Sequence, residues 1–408
     1  TDRKRTYTYR YNQRKDHNMP DGKDLRIEWR GEILSDIGYG LQARRILKPL
    51  IDAGVDVKLI QAEHYIPEER RIKDLFWLEQ LEKSKDKEDA PIRICYEIPP
   101  VAEYRKDAFN ICYAMWESNK YPREWIGKIN GGQAFIAGCP GLIDSAKNAG
   151  VKVPIGCIMP PLDTDVWCPE GPKTSIMGVE TDDVVFMINA NWIPRKNFGD
   201  LMTAFCCTFS GVKDVVLVMK TWGGNNSAEF KKQIKDNVHN KLNGLHHIDR
   251  PKVLILSDLL PEEQVIKLMR RADVYTTVSH GEGFDLPMVQ AMSLGKICVA
   301  TRFLGHDYYM TERNSIAVDY SLMPVIDAQA PGYTADQMWS RPNMDHYMEC
   351  LQRAYKMVKD KSGQLEDMQE HARSTIQSKF NNDTITEGVI KTIRTLAKPA
   401  LERECSKS

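Results

Sequence analysis

The sequence predicts an α/β protein made of two Rossmann-like domains facing each other across a cleft. Two separate series of short strand-like runs alternating with helical stretches lead to this expectation, and a break in rhythm between them divides the chain. Each series also contains a glycine-bearing turn that leads from a strand into a helix.

The bulk properties agree with that class. At 408 residues the chain exceeds one compact core and suits two domains. Hydrophobic content of 42% and charged content of 27% are those of a folded globular chain, not a disordered or fibrous one. The 56 basic and 56 acidic residues balance, so no overall field draws polyanions from a distance. Without a long apolar run or an apolar centre near Thr1 to Asn18, the expectation is a cytoplasmic protein with no transmembrane segment. The ten cysteines have no paired spacing, and neighbours Cys206 and Cys207 fall in a helical pattern where they face different ways. Reduced thiols and no structural metal site are expected.

In chain order, "RIEWRGEI" alternates at period two and runs into the turn Asp36-Ile37-Gly38-Tyr39-Gly40. Ala43, Ile46, Leu47 and Leu50 then recur at helical spacing until Gly54, with a kink or an early end expected at Pro49. Strands follow at "VDVKLI", "IRICYEI", "FNICYAMW", "QAFIAG" and "PIGCIM". The proline-, glycine- and acid-rich stretch from Met159 to Asp183 reads as the domain boundary. Beyond it come strand "VVFMINA", a helix from Asn197 to Phe209, strand "VVLVMK", a polar helix, strand "KVLIL" and a helix from Pro261 to Arg271. Strand "DVYTTV", a helix from Pro287 to Leu294 and strand "KICVAT" complete this series. The stretch from Tyr320 to Pro342 reads as a long irregular excursion, and Asp345 to Ala397 as helical. The expected division is a basic arm at 1–25, an N-terminal domain at 26–178, a C-terminal domain at 179–370, and a helical segment at 371–408 that returns to the N-terminal domain.

The strongest local signal is "SHGEGFDLPMVQAMSLGK", where a strand ends in a glycine-rich loop and Pro287 opens a helix with Asp285 as its cap. Such a turn presents unpaired amides at the positive end of a helix, which suits phosphate or sugar oxygens. It would equally serve as a plain strand-to-helix joint. Glu282 in the loop and Gln290 one turn into the helix are placed to face one ligand.

This segment resembles the GT-B retaining glycosyltransferases called family 4, or glycosyl transferases group 1. Their hallmark, Glu, seven residues, Glu, lies within "EGFGLPxxEAMAxGxP", and this chain reads "EGFDLPMVQAMSLGKIC". The resemblance implies that Glu282 contacts the donor sugar and that the loop Gly283, Phe284, Asp285 and Leu286 holds sugar and diphosphate. Gln290 would hold the ribose, an amide replacing the charged partner. "NWIPRKNFGDLMTAF" is similar to "GRLxPRKGxxxLLxAF", which makes Lys196 a diphosphate cation and puts Asn191 where the family has Arg. Arg195 and Lys220 are the candidates to supply that charge, and each of these three cations would also be ordinary on a surface.

"LILSDLLPEEQVIKLMRRADVYTTVS" resembles the segment before the hallmark and points to Leu256, Ser257 and Asp258 at the base; "FLGHDYYMTERNSIAVDY" resembles its continuation. "DIGYGLQARRIL" matches the loop that opens the first helix, bringing Gly38, Tyr39 and Gly40 to the donor phosphates, or simply starting that helix. "YAMWESNKYPREWIGKIN" resembles a subgroup with "WExxxxPxxW", which makes Glu117 a catalytic-pocket carboxylate for the acceptor hydroxyl. Trp116 and Trp125 read as core. Asp163-Thr164-Asp165 spells an Asp-x-Asp, but in a linker it does not read as a metal motif.

The resemblance implies a retaining hexosyl- or pentosyltransferase, independent of metal and of any resident cofactor, that moves sugar from a UDP- or GDP-linked donor to a hydroxyl as the cleft closes. The acceptor is either a glycan or lipid-linked sugar, or a modified base such as a hydroxymethylated pyrimidine. "RKRTYTYRYNQRK" interleaves basic residues with Tyr7, Tyr9 and Tyr11, which suits nucleic acid, anionic lipid headgroups at a membrane surface, a solvated arm or an extra edge strand. A second basic stretch runs from Lys231 to Lys252. A catalytically degenerate nucleotide-sugar-binding protein is the alternative raised by Gln290 and Asn191. An NAD-dependent dehydrogenase is disfavoured because no Gly-x-Gly-x-x-Gly follows a strand.

Overall fold

The structure, a computed structural model, describes residues 21–35, 38–62, 71–223, 227–326 and 331–406. The expectations for the arm at 1–25 fall, up to residue 20, outside the described residues. The chain forms two compact units, one reaching to Leu162 and resuming at Lys379, the other running from Asp163 to Ser378.

In the first unit, six strands form a wholly parallel sheet: β1 (Arg26–Gly31), β2 (Asp56–Gln61), β3 (Ile92–Tyr96), β4 (Phe109–Ala114), β5 (Ala134–Ala137) and β6 (Ile155–Cys157). Their spatial order is β2-β1-β3-β4-β5-β6. Every residue of β4 and β5 is buried, which fits a sheet covered by helices on both faces. Helix α1 (Gly38–Asp52) buries Ala43, Ile46, Leu47 and Leu50 at the expected spacing. It runs through Pro49 instead of ending there, because those buried contacts lie on both sides of the proline, and the Ala53 N–H continues the ladder onto the Pro49 carbonyl at 2.9 Å. Helices α2 (Leu75–Lys85), α3 (Arg123–Asn130) and α4 (Pro140–Ala149) link later strands. Asp74 caps α2 through the Phe76 amide, and Gly150, at φ 99°, closes α4.

The second unit repeats the plan with β7 (Val184–Asn191), β8 (Val215–Trp222), β9 (Lys252–Leu256), β10 (Val274–Thr277), β11 (Ile297–Thr301) and β12 (Ile316–Val318). The order is β12-β11-β10-β7-β8-β9, again all parallel. Helices α5 (Phe198–Thr208), α6 (Ala228–Asn243), α7 (Glu262–Arg271), α8 (Leu286–Ser293) and α9 (Met344–Asp360) alternate with or follow these strands. Phe186, Phe205, Phe209, Leu217, Val299 and Leu351 belong to one continuous apolar core. In each sheet the connections reverse direction once, between β1 and β3 and between β7 and β10. At such a switch point two loops diverge from neighbouring strand ends and leave a crevice.

Three expectations change. The boundary lies at 162/163 rather than 178/179, since the proline-rich stretch packs on the second unit: buried Trp167 donates to Glu262 at 3.1 Å and Arg270 donates to the Cys168 carbonyl at 2.9 Å. The later crossing falls at 378/379 rather than 370/371, within α10 (Gly363–Phe380). Helix α11 (Asn382–Leu396) packs on α1 and β6, where Gly156 leaves no room for a side chain against Thr392 and Leu396, and α12 (Lys398–Cys405) follows. Finally, 320–342 is not irregular: β13 (Tyr320–Pro324) and β14 (Met338–Pro342) pair antiparallel, burying Met323, Val325 and Trp339. Cys206 is buried and Cys207 exposed, as their helical positions require.

Candidate functional site

The switch point of the second sheet gathers most of the residues singled out above. After β7 the chain makes a tight turn over Pro194–Lys196, closed by Asn197 in the left-handed conformation at φ 52°, before α5 begins. Trp192 stacks on Phe198 across this turn at 4.5 Å. The His280 amide donates to the Arg195 carbonyl at 2.8 Å, and the Arg195 guanidinium donates to the Gly281 carbonyl. These bonds fasten the loop after β10 to the turn after β7.

The Glu282 carboxylate, 4% exposed, receives the Lys196 ammonium at 2.5 Å and lies 3.2 Å from the Arg195 guanidinium. Burial works against its charge, but Lys196 and then Arg195 prevail and hold the carboxyl well below the ordinary carboxylate range. The loop is held from its other side by the segment after β11. The Gly305 amide donates to the Glu282 carbonyl at 2.9 Å, and the Tyr309 hydroxyl to the Phe284 carbonyl at 2.8 Å. With these carbonyls occupied, the amides of Gly283, Asp285 and Leu286 find no acceptor among the described residues, at the start of α8. Buried amides without acceptors at a helix N-terminus form an anion-binding arrangement.

Asp285 precedes α8 but does not cap it with its side chain, contrary to expectation. Its backbone is left-handed, at φ 58°, and its carboxylate turns instead to His306 Nε2 at 2.9 Å. His306 Nδ1 faces the Thr301 carbonyl at 2.7 Å. Both neighbours are acceptors, an arrangement that favours the ring with both nitrogens protonated. Burial alone would remove that charge, but Asp285, with help from Glu282, raises the pKa above its ordinary value.

Gln290 is 6% exposed, and its side-chain amide has no partner among the described residues. Lys220, at the C-terminal end of β8 beside Asn189 of β7, is 2% exposed, with its ammonium 5.0 Å from the Trp222 ring centroid. Asn191 sits opposite Trp222 at the end of β7. On the far side of β8, Leu256 is half-buried and Ser257 buried, whereas the exposed Asp258 is tied to Lys231 at 2.6 Å.

Gly38, Tyr39, Gly40 and Glu117 belong to the first unit. Asp36 and Ile37 lie outside the described residues. Gly38 opens α1, where no described residue lies within 4 Å of an added Cβ, whereas a Cβ on Gly40 would meet the Ser35 carbonyl oxygen at 2.4 Å. The Tyr39 hydroxyl accepts the Met115 amide at 3.2 Å, and its ring lies 5.0 Å from that of Tyr96. Burial raises the Tyr39 pKa, and the charge of half-buried Glu117 adds to this. Trp116 and Trp125 are buried edge to face at 4.7 Å, as core residues. In Asp163-Thr164-Asp165 the first carboxylate accepts the amides of Asp165 and Val166, a structural turn.

Sequence reasoning missed His280, Gly305, His306, Tyr309 and the strand pair. Ser340 of β14 donates its amide to the His280 carbonyl at 2.8 Å, and Trp339 stacks on the His280 ring at 13°. The available signal was "LGHDYY" in a segment already matched to the family, together with Asp285 in place of the hallmark's second glycine.

Residues 182–329 match the family model for Glycosyl transferases group 1. Sucrose-phosphate synthase from Thermosynechococcus elongatus is similar in structure, with a TM-score of 0.64 and 14% identity over 92% of this chain and 100% of that one. HepE from Anabaena, in complex with UDP and glucose, gives 0.61 and 14% over 91% and 100%. A UDP-forming α,α-trehalose-phosphate synthase from Burkholderia xenovorans gives 0.59 and 11% over 91% and 99%. No curated protein matches the sequence. The chain is therefore a two-domain protein of the GT-B fold. Its second unit carries the glycosyl transferases group 1 region, and the Lys196–Glu282 pair lies inside it.

Proposed function

We propose that this protein is a retaining glycosyltransferase that moves a hexosyl or pentosyl group from a nucleotide-sugar to a hydroxyl acceptor. The observation that carries this reading is the buried Lys196, Arg195 and Glu282 cluster beside the open amides of Gly283, Asp285 and Leu286. A UDP-linked donor is supported by the UDP and UDP-glucose that the HepE structures hold, with GDP the other base to test.

In this reading the diphosphate lies on the amides and is neutralised by Lys196, Arg195 and Lys220. Glu282 and the loop from Gly283 to Leu286, Phe284 included, hold the sugar, Gln290 the ribose, and Leu256, Ser257 and Asp258 the base. The bond from the anomeric carbon to the diphosphate oxygen breaks as the acceptor oxygen bonds to the same face. The acceptor proton passes to the departing phosphate oxygen, so atoms and charge balance without a metal or resident cofactor. In the first unit, Gly38, Tyr39 and Gly40 are proposed as a phosphate-contacting loop and Glu117 as the carboxylate that orients the acceptor hydroxyl. The acceptor is a glycan or lipid-linked sugar, or a hydroxymethylated pyrimidine reached through the basic arm. Among the described residues no helix is long and apolar enough to cross a membrane.

A thermal-shift screen against UDP-, GDP- and ADP-sugars identifies the donor, since one bound at a hundred times its Kd stabilises by ~2.7 kcal/mol. Hydrolysis of that donor then reports turnover. If Lys196→Ala and Glu282→Ala both kept near wild-type turnover, the site assignment would be wrong.

A further inference from the structure

Lys220 differs from the other buried lysine of this unit. Lys196 has a carboxylate at 2.5 Å, whereas neither an ion pair nor a hydrogen bond reaches the Lys220 ammonium among the described residues. What lies near it is the face of Trp222, which attracts a cation without neutralising it. An ammonium withdrawn from water costs several kcal/mol unless a partner compensates. A side chain 2% exposed and lacking such a partner is therefore prepared for an anion that arrives with a ligand.

Position indicates which anion. Lys220 is in register with Asn189 of β7 and Leu256 of β9, at the same end of the sheet as the turn bearing Lys196 and the loop bearing Glu282. The charged groups around it are few. Asp258, after β9, attracts Lys220 but is itself paired with Lys231 of α6 at 2.6 Å, whose charge opposes part of that attraction. β7 presents only the neutral Asn189 and Asn191 here.

We propose that Lys220 binds the donor's diphosphate as an ammonium whose protonation the ligand completes, so that phosphate binding draws a proton from solvent. This rests on the reading of the site as a nucleotide-sugar site. Burial, opposed by Asp258 and reinforced by Lys231, pushes the free Lys220 down to about 8. A phosphate at the ammonium restores its ordinary basicity. Binding at a pH near that value then takes up about half a proton, and affinity falls by about fourfold between pH 7 and pH 8.5.

UDP is the probe, titrated calorimetrically into the full chain at pH 7, 8 and 8.5 in buffers of different ionisation enthalpy. The expected result is proton uptake near pH 8 that disappears in Lys220→Arg, whose guanidinium stays charged, while UDP still binds. Lys220→Met, close in length, should melt no lower than wild type, because it removes an uncompensated buried charge, and should bind UDP at least tenfold more weakly. Lys296 also lies near 8 but donates to the Arg270 carbonyl, and uptake arising there would persist in Lys220→Arg. UDP binding without uptake, or with uptake unchanged in Lys220→Arg, overturns the inference and leaves the donor-site reading standing. Failure of both UDP and GDP to bind at any of these pH values overturns both.

Discussion

Replacing Gly305 by alanine tests how the donor loop is held. An alanine Cβ at 305 would lie 2.7 Å from the Gly283 oxygen, 2.8 Å from its carbonyl carbon and 2.9 Å from the Glu282 oxygen. Such contacts are comfortable near ~3.5 Å, so the loop would have to retreat by roughly 0.8 Å. All three atoms are backbone, and no rotamer change can relieve the clash. The retreat also stretches the bond from the Gly305 amide to the Glu282 carbonyl, now 2.9 Å. Overpacking of this kind costs about 1–3 kcal/mol. A displacement approaching 1 Å at positioning groups lowers turnover by up to ~100-fold. Differential scanning calorimetry and hydrolysis of the preferred nucleotide-sugar measure the two effects. Gly388→Ala is the control, because nothing lies within 4 Å of a Cβ there. If Gly305→Ala melted and turned over like wild type, the account of the loop as wedged against residues 303–309 would fail.

Gly388 lies inside α11, so the control is itself a prediction: alanine there should raise stability by about 0.5–1 kcal/mol in urea titrations. His306 has a raised pKa in the folded state, so its pairing with Asp285 contributes fully below the ordinary imidazole value and is lost as pH rises through the raised value. Urea midpoints of wild type and His306→Gln should accordingly differ most below the ordinary imidazole value and converge as pH rises above it, and a constant difference would mean that the ring does not titrate. Glu282→Gln leaves two buried cations without their carboxylate and should cost about 3–5 kcal/mol by the same measurement. Trp339→Ala empties the small core of the strand pair and unstacks His280; a loss of about 3–5 kcal/mol in local opening is expected, read by hydrogen exchange of 338–342.

The α/β class, the two strand-and-helix series and the identity of the loop from Glu282 to Leu286 were legible in the sequence. Apolar runs, period-two and helical spacing, and glycine or proline punctuation are local signals that survive without knowledge of neighbours. The strand pair at 320–342 was not legible, because two five-residue strands separated by a long connection carry too little periodicity to stand out from a loop. The stretch after Leu162 looked like a linker by composition. Only the packing of Trp167 against α7 assigns it to the second unit.

The same distinction applies at the site. Sequence alone marked Lys196, Arg195, Lys220, Glu282 and Gln290 as candidates. It contained nothing to say that Lys196 and Glu282 touch, that Asp285 gives up its capping role for His306, or that Lys220 is buried without a counter-ion. Charge state and pairing depend on which strand ends become neighbours. That is settled by the order of strands in the sheet, which brings β7 beside β10 across 82 intervening residues.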